Sequence, residues 1–219
     1  MKIGVVITAG GMGRRMGEPK QFLPLLGRPM VELTVEAFSK VSEITEIVLV
    51  VEPENFDRCK NYNVKLAKSG KERTDSVRNG LALLDKETDI VLIHDGARPL
   101  ITKDIILEAI KQTEEFGAVV VGVPVKDTIK EIKDTELFVN KTLDRRMLWQ
   151  AQTPQAFKYD IISKAYASAG ESATDDSKLV EDLGIDVKMV LGSYENLKVT
   201  TPEDLIIAGE ILKRRIGKV

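Results

Sequence analysis

Short apolar runs alternate along the chain with stretches whose apolar residues recur at every third or fourth position. The runs Ile3–Thr8, Ile47–Val51, Ile90–Ile93 and Ala118–Val123 are dominated by Val and Ile. Such unbroken apolarity suits strands covered on both faces, as in a parallel sheet. Between them the period changes. Val77, Leu81 and Leu84 fall at helical spacing in Glu72–Leu84, as do Ile106, Ala109 and Ile110 in Lys103–Phe116. A last helix should start at Thr201 as N-cap, with Pro202 at the first helical position and Asp204 completing the cap. Its predicted apolar stripe is Leu205, Ile206, Ala208, Leu212 and Ile216. Strand and helix in alternation predict an α/β fold, a Rossmann-like, mostly parallel twisted sheet flanked by helices. With no internal repeat or low-complexity linker, residues 1–219 are expected to form one domain.

One stretch breaks the alternation. Within Lys126–Arg146, Thr128–Ile132 and Leu137–Leu143 alternate in polarity around Asp134-Thr-Glu136. This predicts a β-hairpin where another crossover helix would be expected. A two-stranded hairpin is marginal alone and needs a surface to lie on. That surface is either its own body or a second subunit.

Composition removes whole classes of chemistry. The chain has a net charge of −2, with 43% hydrophobic and 30% charged residues, as expected of a globular domain and not of a dedicated duplex-binding protein. Cys59 is the only cysteine and His94 the only histidine. Disulfides within the chain, multi-Cys zinc sites and H-E-x-x-H sites are therefore excluded, and acid–base catalysis by histidine has a single candidate. No apolar run approaches the ~18 residues of a membrane span. The apolar run after Met1-Lys2 is too short for a secretory signal, so a cytoplasmic location is expected.

The chemistry concentrates where the first run ends, in Thr8-Ala-Gly-Gly-Met-Gly-Arg-Arg-Met-Gly17. The glycines let several backbone N–H groups converge on one anion, and Arg14 and Arg15 add charge suited to phosphate. A plain strand-to-helix turn would rarely need both. The P-loop pattern is absent, since no Lys-Ser or Lys-Thr follows the glycines. A dinucleotide fingerprint is only superficial. Pro19, Pro24 and Pro29 delay any long helix until about Met30, and Glu52 is too distant to be the ribose-binding acid.

Ala9–Met16 followed by Pro19-Lys-Gln-Phe-Leu-Pro-Leu-Leu-Gly-Arg-Pro-Met30 resembles the signature of the sugar-phosphate nucleotidyltransferases. Further segments then occur in order: Gly70–Val77, His94–Pro99, Val123–Thr128, Leu143–Arg145, Trp149–Gln155 and Asn196–Asp204. Together they resemble the 2-C-methyl-D-erythritol 4-phosphate cytidylyltransferase family over residues 1–216. The resemblance implies that CTP and methylerythritol phosphate are joined with release of pyrophosphate, in the non-mevalonate route to isoprenoids. It assigns charge stabilisation to Arg15 and Lys20, and CTP binding to Ala9, Gly10, Gly11, Gly13, Arg14, Gly70, Arg73 and Ser76. It places the acceptor against Asp95, Gly96, Ala97, Arg98, Thr128, Arg145, Thr153 and Lys198, with Thr128 and Arg145 reaching in from the hairpin arm of a homodimer partner.

Asp95 closes the run Ile90–Ile93, at the strand end where α/β sheets bind ligands, and is the candidate ligand for Mg²⁺. The bland alternative is an Asp capping the next turn through Gly96. Glu195 is a less secure second ligand, standing where relatives generally carry Asp. The residue types suit the implied reaction without help from His or Cys, because a phosphate monoester is already an anionic nucleophile. Other residues read as structural. His94 is expected to be a structural neighbour of Asp95 and not an acid or base, Cys59, Phe56 and Tyr62 to pack, and Trp149 to lie in the core. Rival readings are a ribitol 5-phosphate cytidylyltransferase, a nicotinamide-dependent oxidoreductase and a non-catalytic nucleotide sensor. No nucleic-acid or membrane partner is expected.

Overall fold

The computed structural model describes residues 1–11, 19–133, 135–168 and 175–217. Strand β1 (Ile3–Thr8) leads to the short strands β2 (Pro24–Leu25) and β3 (Arg28–Pro29), then helix α1 (Met30–Ser39). There follow β4 (Glu46–Val51), α2 (Phe56–Cys59), β5 (Lys65–Lys68), α3 (Arg73–Leu81), β6 (Ile90–Asp95), α4 (Lys103–Phe116) and β7 (Ala118–Pro124). The hairpin is β8 (Lys130–Ile132) and β9 (Val139–Thr142). The chain ends with β10 (Trp149–Lys158), α5 (Tyr159–Ser168), α6 (Asp176–Glu181), β11 (Lys188–Leu191) and α7 (Pro202–Ile216).

The main sheet, seven strands among the described residues, has the order β11-β7-β10-β6-β1-β4-β5. Neighbours are parallel except for β10, which runs antiparallel between β6 and β7. The period-2 geometry of a strand divides its apolar run between two cores. Val5 and Ile7 pack with Phe38 and Ile106 on one face, while Val6 packs with Val77 and Phe157 on the other. A third cluster joins Leu25, Met30, Leu100, Val199 and Ala208 beneath α7.

α1 begins at Met30, directly after Pro29, where proline geometry allows a helix to start. α7 carries the predicted cap: Thr201 Oγ1 accepts from the Asp204 N–H at 3.3 Å, and Asp204 Oδ2 accepts from the Thr201 N–H at 2.9 Å. Its stripe is narrower than predicted. Leu205 and Leu212 pack against the third cluster, but Ile206 and Ile216 are 68% and 60% exposed. The helix meets the body only along the side that carries Ala208 and Gly209, which turns Ile206 and Ile216 outward. Trp149 is also not in the core. It begins β10 at the root of the hairpin and is 39% exposed. Cys59 is buried, with Phe56 and Tyr62 packed against the same cluster, as expected.

Candidate active site

Parallel strands β1, β4 and β6 end on the same edge of the sheet, and their C-terminal residues define a cavity of about 440 Å³. Thr8 to Gly11 form one wall, Gly70 to Arg73 another, and Lys20, Asp95 and Lys198 face in. Of the residues expected to bind CTP, Ala9, Gly10, Gly11, Gly70, Arg73 and Ser76 line it, as does Lys20, expected to stabilise charge. Gly13, Arg14 and Arg15 lie outside the described residues.

The glycines are required by close approach. A Cβ on Gly10 would stand 2.3 Å from Ser69 Cβ, and one on Gly70 would stand 2.1 Å from Asp75 Cβ. Gly10 is thus packed against Ser69, and Gly70 against Asp75 in the first turn of α3. Ser76 acts inside the loop. Its hydroxyl accepts from the Gly70 N–H at 2.9 Å and donates to the Glu72 carbonyl at 3.2 Å, tying the loop to the first turn of α3. Arg73 opens that helix and forms a two-pronged ion pair with Asp176, at 2.8 and 2.6 Å. Tyr166 donates to the same carboxylate at 2.5 Å. Burial opposes the charge on Arg73, but Asp176 outweighs it and the guanidinium is held more firmly protonated than usual. Arg73 is therefore a fixed cation in the cavity wall, anchored from behind.

Asp95 is buried at the end of β6, with Lys198 Nζ at 3.1 Å and Arg98 Nε at 3.2 Å, both on Oδ2. Burial works against ionisation, yet the two cations prevail and hold the carboxyl well below the usual range. Arg98 also donates to the Asn196 carbonyl at 2.8 Å, so it braces the Lys198 loop and does not line the cavity. Behind Asp95, the fully buried His94 contacts Thr153 Oγ1 through Nδ1 and the Arg98 carbonyl through Nε2, and burial lowers its pKa to about 4. His94 is thus a structural neighbour of Asp95, as expected.

Two predicted positions, Glu195 and Thr153, depart from their expected surroundings. Glu195 is drawn away from Asp95 by α7: Arg214 pairs with one carboxylate oxygen, and Arg215 binds the other at 2.8 Å. The Arg215 and Arg214 charges hold it ionised, and it lines no part of the cavity, so Glu195 does not join Asp95 as a metal ligand in this arrangement. Thr153 is 5% exposed, and its hydroxyl is engaged by the Asp95 N–H and His94, so it stands behind the acceptor wall. Thr128 and Arg145 are exposed on the hairpin and do not line the cavity of their own chain, and Arg145 donates to the Lys126 carbonyl at 2.6 Å.

Glu52, set aside above as a ribose-binding acid, lines the cavity, and so do Lys71, Glu72 and Gln21, which were not singled out. Glu52 was legible by the rule that exposed Asp95, since it follows the apolar run Ile47–Val51 at its carboxyl end. Gln21 is masked by its burial of 97%, its relative exposure being 3%.

Residues 3–214 match the family model described as IspD, 2-C-methyl-D-erythritol 4-phosphate cytidylyltransferase. The chain belongs to this family. It is 49% identical to the Clostridioides difficile 2-C-methyl-D-erythritol 4-phosphate cytidylyltransferase, over 95% of this chain and 92% of that one. Identity to the Caldanaerobacter subterraneus protein of the same name is 45%, over 98% of this chain and 100% of the other. Among solved structures, 4-diphosphocytidyl-2C-methyl-D-erythritol synthase from Anaerococcus prevotii superposes with a TM-score of 0.86 at 34% identity, covering 96% of this chain and 98% of that one. The Thermus thermophilus cytidylyltransferase gives 0.84 at 29% identity, with 97% and 100% coverage. The fold is thus shared with these cytidylyltransferases along nearly the whole chain.

Proposed function

We propose that the protein joins CTP to 2-C-methyl-D-erythritol 4-phosphate, releasing pyrophosphate and forming 4-(CDP)-2-C-methyl-D-erythritol. The observation that carries this reading is a cavity at the strand ends with glycine backbone on two walls and Lys20, Arg73 and Lys198 around it, in a chain of this family. Such a lining suits polyanions and contains no group built to become a nucleophile. An oxygen of the acceptor phosphate attacks the α-phosphorus of CTP. The bond from that phosphorus to the bridging oxygen of the β-phosphate breaks, and its electron pair leaves with pyrophosphate.

The chain's part is to align the reactants and neutralise charge as it moves. Lys20 lines the cavity together with the glycine walls, against which the triphosphate would lie, and Lys198 stands at Asp95. In this reading Arg15 shares the work of Lys20, and Lys198 leaves Asp95 in part to meet phosphate oxygens. Arg73 holds the loop against which the base and ribose rest.

A divalent ion such as Mg²⁺ fits Asp95 only as a shared site. Among the described residues no group of three or more His, Cys, Asp or Glu side chains gathers to hold a metal. Mg²⁺ commonly takes one or two carboxylates with substrate phosphates, so Asp95 would hold it together with the triphosphate. When bound, the ion would supply charge neutralisation on the phosphates.

The hairpin completes the acceptor pocket of a second copy. Its apolar side chains are left uncovered by the described residues of their own chain: Leu137 is 73% exposed, Phe138 61% and Val139 54%. Thr128 and Arg145 would then enter the partner's cavity, where Arg145 can grip the acceptor phosphate with its planar fork.

The test is pyrophosphate release by purified protein with CTP, Mg²⁺ and methylerythritol phosphate, compared by kcat/KM with ribitol 5-phosphate. A higher ratio for methylerythritol phosphate is expected, and a preference for ribitol 5-phosphate overturns the acceptor assignment. Lys20→Met should lower kcat far more than CTP affinity.

A further inference from the structure

His94 is fully buried, one residue before Asp95, with the Phe38 ring edge-on at 4.8 Å. The reaction above gives it no task. Its two ring nitrogens nevertheless meet partners that leave one consistent pattern of hydrogens. Nε2 lies 3.2 Å from the Arg98 carbonyl oxygen, which can only accept, so Nε2 carries the hydrogen. On the other side, Thr153 Oγ1 lies 3.0 Å from Nδ1 and accepts from the Asp95 N–H at 3.0 Å. The Asp95 amide can only donate. A neutral imidazole with its hydrogen on Nε2 leaves Nδ1 able only to accept, so the hydroxyl hydrogen of Thr153 points at Nδ1.

The bonds close a ring through the active-site turn. His94 donates to the Arg98 carbonyl, Thr153 donates to His94, and the Asp95 amide donates to Thr153. The Arg98 N–H closes the turn onto the Asp95 carbonyl at 3.0 Å. The ring is itself pinned, since Asn196 Nδ2 donates to the Thr153 carbonyl at 2.9 Å and Thr34 Oγ1 shares its one hydrogen between the Gly96 and Met30 carbonyls, each at 3.1 Å. Both ends of the Asp95–Arg98 turn are thus held by one imidazole.

We infer that His94, as the neutral Nε2–H tautomer, is a positioning residue that works through the Thr153 hydroxyl to fix Asp95 for the reaction. Thr153 then donates its hydrogen to the protein and not to the acceptor substrate. An apolar residue at position 94 would strand both the Arg98 carbonyl and the Thr153 hydroxyl in the interior. The kinetic part rests on the reaction proposed above; the tautomer does not.

Because the chain has one histidine, a long-range ¹H–¹⁵N spectrum of labelled free enzyme contains one pair of ring nitrogens. Nε2 should appear protonated, and Nδ1 unprotonated and hydrogen-bonded. Thr153→Val should shift Nδ1 towards its non-bonded position. The same variant should lower kcat by roughly tenfold to a hundredfold with KM for CTP little changed, and Thr153→Ser should restore both readouts. An Nδ1–H tautomer, a Thr153→Val enzyme with wild-type kcat, or a Thr153→Ser enzyme as impaired as Thr153→Val would each overturn the inference. The nitrogen signals are read without substrate, so a wrong acceptor assignment would leave that arm decisive.

Discussion

The ion pair between Arg73 and Asp176 joins the nucleotide wall to α6 across 103 positions of sequence, and its removal has a calculable cost. Asp176 is fully buried, whereas the Arg73 side chain is 29% exposed at the cavity. Removing one partner of a buried pair costs about 3–5 kcal/mol, because the other charge is left without compensation. The partial exposure of Arg73 puts Asp176→Leu near the lower end of that range. Arg73→Met, which strands a wholly buried carboxylate, should lie higher, although Tyr166 continues to donate to it. Replacing both by Leu and Met removes the two desolvation costs with the attraction. The double variant should therefore be much closer to wild type than the two losses added together. Urea unfolding followed by far-ultraviolet circular dichroism measures all four corners of the cycle, and a loss of about 3 kcal/mol corresponds to roughly 6–12 °C in Tm for a chain this long. Asp176→Leu should also raise KM for CTP, since its target is the fixed cation of the wall. If the two losses add to within about 0.5 kcal/mol, the pair does not act as a coupled unit and Arg73 is held by its helix alone.

His94 titrates from its ordinary value of 6.5 down to about 4 in the fold, so between those values the unfolded chain binds the extra proton. Stability should be fully present above pH 6.5 and fall by roughly 3 kcal/mol on acidification through pH 4, and His94→Gln should flatten that limb in urea titrations at several pH values. Equal acid sensitivity in the variant would dismiss the effect. Gly10→Ala forces a Cβ into Ser69 and should weaken CTP binding more than tenfold by calorimetry, at about 1–3 kcal/mol cost to the fold. Deleting residues 129–141 should give monomers in sedimentation with impaired use of the acceptor; an active dimer would contradict the proposed arm.

Elements whose signal is local were the most legible. The apolar runs of β1, β4, β6 and β7, the proline-delayed start of α1 and the cap of α7 depend on neighbours within a few residues, and they stand where periodicity put them. The antiparallel course of β10 is different, because Trp149–Lys158 is placed between β6 and β7 by partners more than twenty positions away. The candidate site divides along the same line. Gly10, Gly70 and Asp95 are legible because a glycine or a strand-end carboxylate announces its constraint in its own residue type. Glu195 is misleading for the converse reason. A carboxylate where relatives generally carry Asp suggests a metal ligand, but its charge is taken by Arg214 and Arg215, which lie on α7 and signal nothing by themselves. Thr153 follows suit: its hydroxyl could serve a substrate or the protein, and only the His94 nitrogen beside it decides which. Charge and hydrogen-bond capacity can each be spent once. The resemblance to a family locates the groups around the phosphates, whereas their use depends on which partners reach them first within the fold.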